Sequence, residues 1–146
     1  MILQLKTHVE AELSTVKAGF NSTLLERLSP PFPKAKIEKY DGNHPGSEVH
    51  IRLKMIFFSL KWVSVISHEE ESPEHYLFID EGLELPFFLK SWKHRHLLRK
   101  NNGGTLISDH ITFTSGNIIG DVLLFPLLWM QFAYRIPIYK KTFRNK

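Results

Sequence analysis

An α+β fold is predicted for this chain: a curved antiparallel sheet of about seven strands wrapped around one long C-terminal helix, in the order strand, two short helices, six strands, helix. Three observations carry that expectation. Between residues 34 and 114, apolar and polar side chains alternate with a period of two in run after run. Ahead of that region, short helix-like segments follow a single strand. After it, apolar residues recur at helical spacing to the end of the chain.

The elements follow in order. The first eight residues read as a strand, with Leu3 and Leu5 on one face. Glu10–Gly19 and Ser22–Leu28 read as short helices. Gly19 can end the first, and Asn21 or Ser22 can cap the second. Ser29-Pro-Pro-Phe-Pro33 stops any helix, because proline lacks the N–H a helix needs. Strands are then expected at Lys34–Tyr40, Glu48–Met55, Phe58–His68, His75–Glu81, Phe87–Arg99 and Thr105–Thr114. In Glu48–Met55 the alternation is clean: Val49, Ile51, Leu53 and Met55 against His50, Arg52 and Lys54. Ile118 to about Arg144 reads as one long helix, which Pro126 and Pro137 would kink or divide into local starts. The sheet should curl around this helix and bury its apolar face.

One turn fixes the register of the last two strands. Asn102-Gly103 is the strongest short-range signal for a two-residue type I′ hairpin, which needs positive φ at both central positions. Asn101 then pairs with Gly104, His96 with Asp109, His94 with Ile111 and Trp92 with Phe113. Phe88, Trp92, His94, His96 and Leu98 share a face with Ile107, Asp109, Ile111 and Phe113. That face is mostly apolar and should meet the helix, while Lys93, Arg95, Arg99 and His110 should meet water.

Bulk composition narrows the function. A length of 146 residues fits a single domain spanning 1–146 with a real core. The absence of cysteine removes disulfides, thiolate metal sites and thiol nucleophiles, and fits a cytoplasmic protein. No signal peptide is evident at the N-terminus, so the Asn21-Ser22-Thr23 sequon carries no weight. The longest apolar stretch, Val122–Met130, is about half of a membrane span. The formal charge of +4 is concentrated at the C-terminus, in Arg135, Lys140, Lys141, Arg144 and Lys146. Lys93, Arg95 and Arg99 add charge to the sheet, but no nucleic-acid motif or exposed aromatic ladder goes with them, and nucleic acid is not expected as a partner.

The order of elements, LPFFLKSWKHRH, GGTLISDHITF and the closing LLFPLLWMQFAYRIPIYKK together resemble the START-like, or SRPBCC, superfamily. This is the helix-grip fold shared with the birch pollen allergen and polyketide cyclases. Pro86-Phe87, Trp92, His94, His96, Gly104-Thr105 and Asp109 are similar to a bacterial subgroup of small SRPBCC proteins described as cell-division inhibitors. The resemblance implies a cavity between sheet and helix that takes a lipid or polyketide-like molecule. It carries over no catalytic residue, and fold alone does not choose a function.

His96 and Asp109 form the sharpest local pair, since a carboxylate opposite an imidazole would orient one ring nitrogen. They can satisfy each other structurally, anchor a ligand, or act as a base. A metal at His94 and His96 needs a third ligand. The register supplies only Asp109, so neither a metal nor any other cofactor is expected. Trp62, Phe78, Phe88, Trp92, Phe113, Phe125, Trp129 and Phe132 can line the cavity. The expected function is non-catalytic binding of a small apolar ligand, by Trp62, Phe78, Trp92, His94, His96, Asp109, Phe113 and Trp129. The alternatives are a cyclase or dehydratase using His96 as base, and a protein-interaction module linked to cell division. A transient membrane contact through the long helix, while a lipid is collected, is compatible with the first.

Overall fold

The computed structural model describes residues 1–145. Its elements are β1 (Ile2–Val9), α1 (Leu13–Gly19), α2 (Ser22–Arg27), β2 (Lys34–Tyr40), β3 (Glu48–Lys54), β4 (Ser59–Glu71), β5 (His75–Glu84), β6 (Ser91–Asn101), β7 (Gly104–Thr114), α3 (Ile118–Ala133) and α4 (Arg135–Thr142). The strands form one antiparallel sheet in the order β1-β7-β6-β5-β4-β3-β2. β1 returns to pair with β7, and β2 forms the other edge, with Lys34, Lys36 and Glu38 pointing to solvent. Register shifts in β2–β3 and β4–β5 bend the sheet, as unpaired extra residues do.

The β6–β7 register follows from the turn. Asn102 has φ 46° and Gly103 φ 77°, Asn101 pairs with Gly104, and Trp92 pairs with Phe113. Asn21 caps α2 by accepting from the Leu24 N–H at 3.0 Å. Asn117 caps α3 by accepting from the Gly120 N–H at 2.8 Å. These side chains satisfy backbone donors that the first turn leaves free.

Two apolar clusters fill the concave face. One gathers Val16, Leu24, Phe78, Leu98, Ile107, Tyr139 and Phe143; the other gathers Leu3, Trp92, Ile111, Phe113, Leu128 and Phe132. Each fully buried aliphatic or aromatic side chain contributes about 1.5–3 kcal/mol by leaving water. The two histidines of β6 lie between these clusters, with Trp92 on one side and Leu98 on the other. Asp109 lies likewise between Ile107 and Ile111 of β7. A polar belt therefore crosses an otherwise apolar surface.

The C-terminal helix departs from the expected form in two ways. It is divided at Tyr134, three residues before Pro137, whose nitrogen cannot donate to the preceding turn. Pro126 lies inside α3 without breaking it. The sheet also does not bury the helix's apolar face: of α3 only Asp121, Leu128 and Phe132 are buried, while Ile118, Ile119, Val122, Leu123, Leu127 and Met130 are exposed. Counted together, Ile118–Thr142 is 25 residues and apolar enough, by length and composition, to cross a bilayer. The estimate of half a span counted only the uninterrupted run Val122–Met130. Tyr139 and Phe143 nevertheless anchor the C-terminal part in the core.

The other exposed apolar residues gather at one end of the sheet. Lys54 pairs with Ser59, and Ser91 with Thr114, so the β3–β4 turn, the β5–β6 connection and the start of α3 share that end. Ile56, Phe57 and Phe58 project from the first and Phe87 from the second; Phe57 is 93% exposed. Lys34, paired with Lys54, and Lys90 lie at the same end. Glu69, Glu70, Glu71 and Glu74 lie at the opposite one. Of the basic tail, Lys146 lies outside the described residues.

Candidate functional site

The polar belt is built by three adjacent strands. β6 contributes His94 and His96, two apart and therefore on one face, their ring centroids 3.6 Å apart. β7 contributes Asp109, and β5 contributes Asp80, which pairs across the sheet with His94.

The hydrogen bonds run diagonally rather than straight across. His94 Nε2 lies 2.8 Å from Asp109 Oδ1, and His96 Nε2 lies 2.8 Å from Asp80 Oδ2. The expected His96–Asp109 partnership is corrected in this respect. The two residues are opposite one another on the same face, but His96 Nδ1 is 3.7 Å from Asp109 Oδ1 and has no hydrogen-bond partner. Asp80 Oδ1 accepts from the Trp92 indole N–H at 3.3 Å, and Asp109 Oδ2 from the Tyr139 hydroxyl at 3.5 Å.

These contacts set the charge states. Burial raises the Asp109 carboxyl, but the hydrogen bond from His94 and the nearby Arg135 guanidinium outweigh it and hold the group at about 2. Burial likewise works against Asp80, and the bond from His96 leads the effects that bring it below the ordinary carboxylate range. His94 is pushed down to about 4 by burial and by its neighbour His96, against the pull of Asp109 and Asp80. At neutral pH, His94 is thus an uncharged imidazole between two carboxylates. Its Nε2 carries the proton donated to Asp109, leaving a lone pair on Nδ1. That lone pair faces Asp80 Oδ2 at 3.7 Å, acceptor to acceptor. Burial, then the charge of Asp109, raises the Tyr139 phenol above its ordinary value, so it stays protonated.

A cavity of about 170 Å³ opens beside the belt. Asp80, His94, His96, Arg135 and Tyr139 belong to its polar lining, while Leu24, Ile51, Trp62, Phe78 and Phe132 belong to its apolar wall. Phe78 stacks on His96 with ring centroids 4.2 Å apart, and Phe132 meets His94 edge-on at 5.1 Å. Trp62 packs edge-on to Trp92 at 4.8 Å.

Of the residues expected to form the site, Trp62, Phe78, Trp92, His94 and His96 line this cavity, as does Phe132 from the wider aromatic set. Asp109 lies behind it, hydrogen-bonded to His94. Phe113 is packed into the second apolar cluster, with Phe88 and Phe125 against that cluster. Trp129 is 47% exposed on the outer side of α3 and does not line the cavity. The helix turns that side to solvent because the sheet takes only the stripe containing Leu128 and Phe132.

Sequence reasoning missed Asp80, Arg135, Tyr139 and Phe20, all of which line the cavity. Asp80 carries a legible signal, since Tyr76, Phe78 and Asp80 alternate on one face of β5. Its partner was not legible, because the connection from β5 to β6 contains no turn that fixes register. The carboxylate that groups with the two histidines at metal-ligand spacing is Asp80 rather than the expected Asp109: Asp80, His94 and His96 each place one ligand atom within 4.8 Å of the others.

Comparison with known proteins places the fold. No family model and no curated protein matches the chain. Among solved structures, protein CV1439 from Chromobacterium violaceum is similar over 100% of this chain and 99% of its own, with TM-score 0.70 and 13% identity. The Zhui aromatase/cyclase from Streptomyces sp. R1128 is similar over 94% of this chain and 89% of its own, with TM-score 0.64 and 11% identity. Ara h 8.0201 is similar over 93% of both chains, with TM-score 0.61 and 13% identity. A seven-stranded antiparallel sheet curled against a long C-terminal helix is the helix-grip fold, and this chain has it.

Proposed function

We propose that this helix-grip protein is a non-catalytic binder of a small, mainly apolar molecule, held in the cytoplasm between the sheet and the C-terminal helices. The observation that carries the reading is the cavity itself: apolar on most of its wall, with Asp80, His94, His96 and Arg135 converging on one side. Sites of this composition take the apolar body of a ligand by burial and fix its orientation through a few polar contacts. The ligand class that fits is a lipid or polyketide-like molecule with an oxygen-bearing end toward the histidines. The aromatase/cyclase among the structural neighbours is compatible with that class.

Native mass spectrometry of the purified protein, beside the same sample denatured, tests the reading. The expected result is a mass excess lost on denaturation, and its absence from Ile51→Trp, whose larger side chain fills the cavity. A bare mass, with no lipid or polyketide taken up on incubation, overturns it.

The apolar end of the molecule favours a second role, transient contact with a lipid surface from which the ligand is collected. Ile56, Phe57 and Phe87 project there beside the exposed face of α3, with Lys34, Lys54 and Lys90 at the same end. Apolar tips with neighbouring cations match the interface of an anionic bilayer. Co-flotation with vesicles of mixed anionic and zwitterionic lipid tests it, and recovery of all the protein in the lipid-free fraction overturns it.

A further inference from the structure

We propose that Asp80, His94 and His96 form a binding site for one divalent transition-metal ion, with Asp109 orienting both imidazoles. The ligand atoms are Asp80 Oδ2, His94 Nδ1 and His96 Nε2. The two histidines are held on one face of β6, and Asp80 is brought beside them by the β5–β6 register.

The hydrogen-bond pattern points to a cation. With His94 donating its Nε2 proton to Asp109 at 2.8 Å, its Nδ1 lone pair is directed at Asp80 Oδ2, 3.7 Å away. Two acceptors close to each other repel, and an ion between them turns that repulsion into coordination. His96 poses the matching problem. Donating from Nε2 to Asp80 leaves its buried Nδ1 with no partner, 3.7 Å from Asp109 Oδ1. If the proton sits on Nδ1 instead, it points toward Asp109, and Nε2 is free to ligate. Both ring N–H groups then face one carboxylate, and both lone pairs face the ion. Histidine ligands commonly have their second nitrogen held by a carboxylate in this way.

The spacings are suitable. Ligands at about 2.0–2.2 Å around a tetrahedral ion lie roughly 3.3 Å apart. The separations of Asp80 Oδ2 from the two imidazole nitrogens, 2.8 and 3.7 Å, bracket that value. Two histidines and one carboxylate suit zinc or ferrous iron and leave coordination positions vacant. All three residues line the cavity, so those positions face the space assigned to the ligand. An oxygen of the bound molecule would complete the shell. Metal binding by the ligand-free protein does not depend on the apolar-ligand reading, and the two can fail separately.

The test is titration of zinc into chelator-treated, full-length protein by calorimetry, with cobalt(II) absorption as a report on geometry. The expected result is one ion per chain and a tetrahedral cobalt spectrum. Asp80→Asn and His96→Ala, each checked for folding by circular dichroism, should both weaken zinc binding by more than about 100-fold. Asp109→Asn should weaken it by about 10–100-fold, the usual effect of losing an outer carboxylate. His110→Ala, on the opposite face of β7, should bind as the unaltered protein does. No zinc binding, or binding undiminished in folded Asp80→Asn and His96→Ala, overturns the proposal.

Discussion

His94 and Asp109 are not opposite each other in the sheet, yet His94 Nε2 lies 2.8 Å from the Asp109 carboxylate, while His96, directly across, stands off at 3.7 Å. The diagonal bond matters because both groups are buried. An ionised carboxylate without a donor would be strongly disfavoured there. Asp109→Asn removes the charge and leaves the amide to satisfy His94 and Tyr139 at once. It should destabilise the fold by about 1.5–3 kcal/mol, the range for a hydrogen bond to a charged group, measured by urea denaturation.

Stability should fall on acidification in two stages. The folded His94 is pushed down to about 4, so the unfolded chain takes up this proton first. Stability present above the ordinary histidine value of about 6.5 is lost as pH falls toward 4. Asp109 is held at about 2 when folded, so its contribution, present above the ordinary carboxylate value, is lost as pH falls from about 4 toward 2. Denaturation midpoints between pH 7 and pH 2 check both stages. His94→Gln should flatten the upper one, and it should shrink the lower as well, because the hydrogen bond from His94 leads the effects that hold Asp109 down.

Phe78 joins packing to the site, since it lies in the first apolar cluster and stacks on His96. Phe78→Ala should cost about 3–5 kcal/mol. It should also weaken capture of an apolar ligand, because the wall and the orientation of His96 are lost together. Denaturation and native mass spectrometry read the two effects separately.

Gly104 tests the β1–β7 seam. A Cβ there would stand 2.1 Å from the Val9 carbonyl oxygen. Gly104→Ala must therefore push the strands apart, and a loss of about 1–3 kcal/mol is expected in thermal or urea melts.

Phe57 and Phe87 test the exposed end. Both are open to solvent, so Phe57→Asp and Phe87→Asp should change stability by no more than about 0.5 kcal/mol. The same changes should remove the protein from anionic vesicles in flotation.

What the sequence made legible follows local chemistry. Asn102-Gly103 has one favoured turn, and that turn placed the inward faces of β6 and β7 residue by residue. Asn21 and the Pro-rich stop after α2 are signals of the same local kind. Asp80 escaped because its position depends on the pairing of β5 with β6, which no short turn fixes. The diagonal bonds escaped because backbone register locates Cα atoms, while imidazole and carboxylate groups here meet partners displaced by two residues along the neighbouring strand. Trp129 and the exposed face of α3 escaped for another reason. Composition shows how apolar a helix is, but not how much of it the rest of the chain can cover.

The β2 edge has a consequence for how copies of this chain can meet. An open outer strand offers unpaired backbone groups, and in many sheets that invites another strand to join. Here Lys34, Lys36 and Glu38 project from it at alternate positions, with Lys39 beside them. A second chain adding in parallel register would bring like charge against like charge. Growth of the sheet into a cross-β ladder is therefore opposed at this border. Any crowding of these molecules should begin instead with side chains at the apolar end and should yield to mild detergent rather than to raised salt.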